Sequence, residues 1–99
     1  TSIDRTDDIH PDNAQVARLA AMAVGLDVVG IDFITPDIAR SVREARGGIV
    51  EVNAGPGFRM HTHPTEGHPR HVGRAVVDML YPPGSPSRVP IVAVTGTTG

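Results

Sequence analysis

The sequence predicts an α/β (α+β) fold in which an antiparallel pair of strands lies between flanking helices. Apolar residues recur at helical spacing in an early segment and in a late one, and two segments rich in β-branched residues lie between them. The chain has 99 residues, the size of one small domain. Its 11 glycines, 9 prolines and 3% aromatic content leave a thin core of Val, Ile, Leu and Ala, so we expect marginal stability.

The early helix is predicted to begin at Pro11 and to end at Gly25. Proline is favoured at the first helical position, and glycine is favoured just after the last turn. Between them Val16, Leu19 and Ala23 share one face, and we expect the helix to pack by that face.

Two strands are predicted after this helix, over residues 28–35 and 49–53. Both are rich in β-branched or apolar residues, and each ends at a turn signal. The signal is Pro36 for the first strand and a glycine-proline-glycine corner at residues 55–57 for the second. The segment between the strands ends in two glycines, a turn that is compatible with antiparallel pairing.

Three oxygen-bearing side chains lie on these strands. Asp32 is a carboxylate in an otherwise apolar strand, and Glu51 and Asn53 share one face of the second strand while Val50 and Val52 share the other. An antiparallel pairing can bring the three oxygen ligands together, although the sequence does not define the register. Such ligands suit Mg²⁺. The alternatives are a structural Asp32 satisfied by hydrogen bonds and a polar strand face in contact with solvent.

A histidine-rich segment follows the glycine corner. Arg59, at its start, is a candidate anion contact because a guanidinium matches carboxylate and phosphate geometry, although it could equally be an ordinary surface residue. The histidines could form a zinc site or an exposed loop; their spacing is irregular and no cysteine supports zinc. The candidate zinc ligands are His61, His63, Glu66, His68 and His71.

The late helix is predicted over residues 72–81, followed by a Pro-, Gly- and Ser-rich linker at residues 82–88. A strand is then predicted over residues 89–95, running into Gly-Thr-Thr-Gly at residues 96–99. A strand followed by a glycine-rich turn is the first half of a phosphate-binding loop. We therefore expect a domain boundary at the linker.

Composition narrows the function classes. A net charge of −2 without a basic stripe does not suggest a nucleic-acid partner, and the absence of cysteine excludes thiol catalysis and disulfides. No apolar run could span a bilayer and no signal pattern is present, so we expect a cytoplasmic protein without a membrane partner. The polar residues 1–8 are interpreted as a solvated loop.

In its motifs the chain resembles the cyanophycin synthetase family along essentially its whole length, at the junction of the ATP-grasp and Mur-ligase-like domains. An Asp followed by Glu-x-Asn is shared by many ATP-grasp ligases. The continuation into Pro-Gly-Phe-Arg-Met-His, and later into a Mur-type phosphate loop, selects the family. The matching motifs lie in the same order at residues 4–7, 10–13, 30–32, 51–54, 56–61, 78–80 and 90–97.

The resemblance implies that residues 1–81 are the C-terminal part of an ATP-grasp domain and that residues 89–99 begin the Mur-ligase-like domain. Asp32, Glu51 and Asn53 would hold the Mg²⁺ ions that bridge the phosphates of ATP. The truncated phosphate loop would consist of Gly96, Thr97, Thr98 and Gly99.

The family's reaction forms amide bonds: ATP phosphorylates a carboxylate, and an amine then attacks the acyl phosphate. One domain adds aspartate to a polyaspartate backbone and the other adds arginine to its side chains. The implied partners are therefore ATP, aspartate, arginine and a cyanophycin primer, with a homo-oligomeric parent enzyme.

Thr98 departs from the family, which usually has Asn there, and the Lys-Thr of the loop would lie beyond Gly99. The nucleotide-gripping lobe should precede Thr1. We therefore expect a fragment that is inactive alone. The alternatives are another ATP-grasp carboxylate-amine ligase, such as a peptide or glutathione-like synthetase, and a small non-catalytic histidine-rich metal-binding module.

Overall fold

The computed structural model describes residues 1–98 of the chain. The predicted α/β class with an antiparallel strand pair is confirmed. The segment after the glycine corner, where the sequence predicts no helix, contains a helix of four residues. In chain order the elements are α1 (Pro11–Val24), β1 (Gly30–Ile34), β2 (Gly48–Asn53), α2 (Arg59–Thr62) and α3 (Val72–Leu80).

Helix α1 begins and ends as its sequence predicts. The Asp12 backbone N–H donates to Nδ1 of His10 at 3.1 Å, which satisfies one of the free donors of the first turn. At the other end Gly25 has a φ of 70°, and its N–H donates to the Met22 carbonyl oxygen at 3.1 Å. Because glycine adopts this left-handed conformation without steric cost, the helix stops there.

The first turn of α1 also holds the segment between the two strands. Asn13 is 1% exposed, and its side-chain amide donates to the carbonyl oxygens of Ile38 at 2.9 Å and Arg40 at 2.8 Å. Its Oδ1 accepts from the Val42 N–H at 2.8 Å. One buried side chain thus satisfies three backbone groups of a loop that has no helix or strand of its own.

The sheet consists of β1 and β2 in antiparallel pairing, with one irregularity. Asp32 lies opposite Glu51, but the next pair is Phe33 with Ile49, so Val50 is an extra residue on β2. This β-bulge corrects the predicted alternation, in which Val50 and Val52 shared a face. The side chain of Val50 is instead 63% exposed.

Apolar burial is as thin as the composition predicts. Within residues 1–98 only Asn13 and Ser41 are buried, and no apolar side chain is. Ile31, Phe33 and Val52 on the sheet are half-buried. The radius of gyration is 18.0 Å, compared with about 13 Å for a compact domain of this length.

Helix α3 matches its predicted position, but the strand predicted over residues 89–95 is not formed. Residues 82–98 contain no helix or strand, and Ile91 and Val94 are 90% and 93% exposed. A strand is stabilised by hydrogen bonds to a neighbouring strand, and no partner for this segment lies within residues 1–98. The linker at 82–88 and the second domain at 89–99 therefore stay predictions. None of the helices in residues 1–98 is long and apolar enough to cross a membrane.

Candidate metal and nucleotide site

The strand register brings the three predicted oxygen ligands onto one face of the sheet. Asp32 is directly opposite Glu51, and Gly30 is directly opposite Asn53. Since residues i and i+2 share a face, Asn53 lies diagonal to Asp32 on the same side. Directly opposite residues have Cβ atoms about 5 Å apart and diagonal ones about 7 Å apart. Asp32 and Glu51 are exposed and Asn53 is half-buried.

A cavity of about 550 Å³ opens beside this face. Asp32 and Asn53 contribute to its lining, whereas Glu51 does not. The remaining walls come from the start of β1, the glycine corner, α2 and α3. These residues are Val28, Val29, Gly30, Ile31, Gly55, Pro56, Gly57, Phe58, Met60, His61, Val72 and Val76.

The close approach of Pro56 to Gly30 shapes the cavity. A Cβ at Gly30 would lie 3.0 Å from the Pro56 Cβ and 3.5 Å from the Asn53 Cβ. A side chain at this position would therefore push the corner away from β1. Because Gly30 has none, the corner folds back along β1 and forms one wall of the cavity beside Asn53.

The donor set fits a small hard cation. Two carboxylates and an amide oxygen on one exposed strand face leave room for water and phosphate oxygens, which Mg²⁺ retains in protein sites. No group of three or more His, Cys, Asp or Glu side chains within residues 1–98 is arranged to hold a metal ion. Two carboxylates and one amide would suit a metal ion that also binds phosphate, and the roles of Asp32, Glu51 and Asn53 as ligands stay predictions.

Arg59, Gly96, Thr97 and Thr98, which are also predicted site residues, are not among the residues that line the cavity. Arg59 is the first residue of α2, is exposed, and is not among the lining residues, although its neighbours Phe58 and Met60 are. Gly96, Thr97 and Thr98 are exposed and belong to no helix or strand. Gly99 lies outside the described residues. The roles of these five residues stay predictions.

The histidine-rich segment gives no geometric support for a zinc site. Neither the four histidines nor Glu66 belong to a metal-binding group within the described part of the chain. His63 instead lies beside the Thr62 hydroxyl, with Oγ1 and Nδ1 separated by 2.9 Å. His61 is the one histidine that lines the cavity.

Sequence reasoning missed an ion-pair network that joins the two ends of residues 1–81. The sequence predicts a solvated loop at Asp4, but the Asp4 side chain is only 8% exposed and lies 2.8 Å from the Arg70 guanidinium. Asp7, which is exposed, pairs with the same guanidinium. The signal in the sequence is the Asp-Arg-Thr-Asp motif at residues 4–7, which is one of the motifs that carry the family resemblance.

The network changes the acid–base properties of its members. Hydrogen bonds from Arg70 and then from Thr6 hold the pKa of Asp4 well below its usual range. Hydrogen bonds to Asp4 and Asp7 raise the pKa of Arg70 above its usual value. Both shifts favour the charged forms of the two groups.

Comparison with known proteins shows that the chain is similar to part of the cyanophycin synthetases. The chain is 60% identical over 99 residues to a cyanophycin synthetase from Crocosphaera subtropica. It is 58% identical over 98 residues to one from Synechocystis. The chain spans about 11% of the length of these relatives. The resemblance expected from the sequence is therefore confirmed, for a segment of such a protein.

More distant relatives share most of the chain. A glutathione biosynthesis bifunctional protein from Clostridium perfringens is 36% identical over 80 residues, which is 81% of this chain and 10% of that protein. Among solved structures, a bifunctional glutathione synthetase from Pasteurella multocida has a TM-score of 0.72 at 33% identity. That match covers 79% of this chain and 11% of the other. A search of protein-family models found no match.

Proposed function

We propose that this chain, as a segment of a cyanophycin synthetase, ends the ATP-grasp domain of an ATP-dependent amino-acid ligase. The observation that carries the proposal is the face on which Asp32, Glu51 and Asn53 lie together beside a cavity. In the parent enzyme that domain adds aspartate to a polyaspartate backbone, and a second domain adds arginine to the side chains. The chain alone is inactive.

In this proposal Asp32, Glu51 and Asn53 are the residues that would hold Mg²⁺, which would supply positive charge for binding the ATP phosphates. The bound metal would neutralise charge on the transferred phosphoryl group. The two carboxylates supply charge at a fixed separation, because the sheet register defines their positions. The half-buried Asn53 amide would complete the ligand set without adding a third negative charge.

The two groups of relatives match different shares of the chain. The cyanophycin synthetases match 99% to 100% of the chain, whereas the glutathione-forming relatives match 81% to 82%. That smaller share corresponds in length to residues 1–81. We propose that residues 82–88 are an interdomain linker. Residues 89–99, including Gly96, Thr97, Thr98 and Gly99, would then begin the Mur-ligase-like domain.

The test uses the full-length enzyme that contains this chain, with aspartate-dependent and arginine-dependent ATP consumption assayed separately. We expect Asp32→Asn and Glu51→Gln to lower aspartate-dependent kcat/KM by about 100-fold, equivalent to roughly 2.7 kcal/mol of transition-state stabilisation. Both should also raise the Mg²⁺ concentration needed for half-maximal rate. Arginine addition to a supplied primer should persist, because it belongs to the other domain.

Glu44→Gln is the matched control. Glu44 is also an exposed carboxylate. It lies in the segment that connects β1 to β2 and does not line the cavity. This variant should keep both activities. Retention of aspartate addition by Glu51→Gln would exclude the proposed metal site.

A glutathione-type ligase is the second candidate from the same chemistry. The identity to glutathione-forming relatives is 36%, against 60% to cyanophycin synthetase, and the weaker matches omit about a fifth of the chain. We therefore prefer cyanophycin synthesis. The glutathione-type alternative is tested by supplying the full-length enzyme with γ-glutamylcysteine and glycine. Formation of glutathione would favour that alternative.

A further inference from the structure

The first residues of the chain are docked onto the loop that leads into α3. The Asp4 N–H donates to the Glu66 carbonyl oxygen at 2.9 Å, and the Thr65 N–H donates to that of Ser2 at 2.8 Å. Gly67 lies against Asp4 with a φ of 95°, and a Cβ there would be 2.7 Å from the Asp4 Cβ. Because glycine alone accepts both conditions, the approach of these segments depends on it.

The Asp4 carboxylate is fully engaged in this contact. Its Oδ1 accepts from the Thr6 N–H at 3.2 Å and from the Thr6 hydroxyl. Its Oδ2 accepts from Arg70 Nε at 2.9 Å and from the His68 N–H at 3.3 Å. With four donors on one carboxylate that is 8% exposed, the Arg70 side chain has a defined position.

The backbone of Arg70 connects this network to the cavity. Its N–H donates to the His61 carbonyl oxygen at 2.8 Å. His61 and Met60 lie on α2, and both line the cavity beside Asp32. The same two residues line a second cavity of about 280 Å³ against residues 2–6. A helix of four residues has little stability of its own, so its position depends on such contacts.

We propose that Asp4 and Arg70 are positioning residues for the reaction centre. Their ion pair holds α2, and with it the cavity wall formed by Met60 and His61, at a set distance from Asp32. The inference rests on the proposed function, because it assumes that the cavity beside the metal face holds a reacting group. Displacing a wall by about 1 Å can cost up to about 100-fold in rate.

The experiment uses the full-length enzyme with Asp4→Asn and Arg70→Lys. The first keeps the shape of the side chain and removes its charge, and the second keeps charge but removes the planar fork that Asp4 accepts from. Asp8→Asn is the control, since Asp8 forms an exposed ion pair with Arg5 at 3.1 Å and forms no ion pair with Arg70 within residues 1–98. Hydrogen exchange of residues 59–71 and steady-state kinetics are measured on each.

We expect both network variants to lower aspartate-dependent kcat by about 10-fold while KM for MgATP changes less than about twofold. Exchange of residues 59–71 should accelerate by about 10-fold, because α2 loses its anchor. Asp8→Asn should match the wild type in both measurements. If the ion pair had a purely structural role, the variants would give less folded enzyme, and the folded fraction would show no selective loss of kcat.

Two results would overturn the inference. One is faster exchange with an unchanged kcat, which means that the position of α2 does not matter for the reaction. The other is that Asp4→Asn and Arg70→Lys are both recovered only as insoluble protein while Asp8→Asn folds. The ion pair would then be required for folding and not for positioning α2. Failure of the proposed function is separate, because there Glu51→Gln retains aspartate addition.

Discussion

Asp32 and Glu51 face each other directly across β1 and β2, and both are exposed. Like charges in opposite positions of an antiparallel pair weaken the sheet. The β-bulge at Val50 lies directly beside this pair, because the register shifts between Asp32 and Phe33. A sheet of only two strands, with no buried apolar side chain in the described residues, has little stability to offset this repulsion. A cation bound near the two carboxylates would therefore reduce the repulsion between them.

Removing one charge of this pair should stabilise the chain in the absence of metal. We expect Asp32→Asn to raise the free energy of unfolding by about 0.5 kcal/mol in EDTA. Excess Mg²⁺ should raise the melting temperature of the wild type, because it binds the folded face, and should leave the variant unchanged. Thermal unfolding followed by circular dichroism measures both effects. A wild type indifferent to Mg²⁺ and a variant less stable in EDTA would contradict the charge argument.

Adding a methyl group at Gly30 should displace the glycine corner. The new Cβ would lie 3.0 Å from that of Pro56, closer than van der Waals contact. We expect Gly30→Ala to destabilise the fold by about 1–3 kcal/mol, as overpacking does, and to impair aspartate addition by the full-length enzyme. Gly48→Ala is the control on the other strand, since nothing lies within 4 Å of its Cβ. Equal unfolding midpoints in urea for the two variants would show that the glycine corner can move away from residue 30 without loss of stability.

Truncating Asn13 should release the segment between the strands. Asn13→Ala leaves three backbone groups, at Ile38, Arg40 and Val42, without their side-chain partner. We expect a loss of about 2–4 kcal/mol, since each buried polar group left unsatisfied is costly. Gln15→Ala, at an exposed position on the same helix, should change stability by less than about 0.5 kcal/mol. Urea unfolding compares the two, and a small effect at Asn13 would mean that water replaces the lost bonds.

Acid should weaken the contact between Asp4 and Arg70 in a defined direction. The pKa of Asp4 is lower in the folded chain than in the unfolded one, because Arg70 and Thr6 favour its charged form. Its contribution to stability is therefore complete above the unfolded pKa and is lost as pH falls below about 4 toward the folded pKa. Asp4→Asn should be less stable than the wild type at pH 7, and the difference should shrink in acid.

Melting temperatures from pH 7 down to pH 3 measure this convergence. Asp8→Asn is the control, because Asp8 is in an exposed ion pair. A gap between Asp4→Asn and the wild type that stays constant down to pH 3 would show that Asp4 does not contribute through its charge.

Features that depend on neighbours in sequence were predictable. The start of α1 at Pro11 and its end at Gly25 follow from backbone preferences of single residues. The antiparallel pair follows from two apolar segments joined by a glycine-rich turn. The common face of Glu51 and Asn53 follows from the two-residue period of a strand.

Features that depend on distant residues were not predictable. The Asp4–Arg70 bond joins residues separated by 66 positions, and Asn13 contacts Ile38 across 25. Local preference carries no information about such pairs, because the folded chain must first bring them together. The strand predicted over residues 89–95 illustrates the converse, since strong β preference forms no strand without a partner.

Sequence alone established the types of element, the residues that begin and end α1, and the oxygen-bearing side chains on the two strands. These depend on backbone preferences and side-chain periods that act over a few residues. Packing established the register that sets Asp32 opposite Glu51, the bulge at Val50, and the ion pair that connects Asp4 to the cavity wall. These depend on contacts between distant segments, whose energies exist only once the chain has folded.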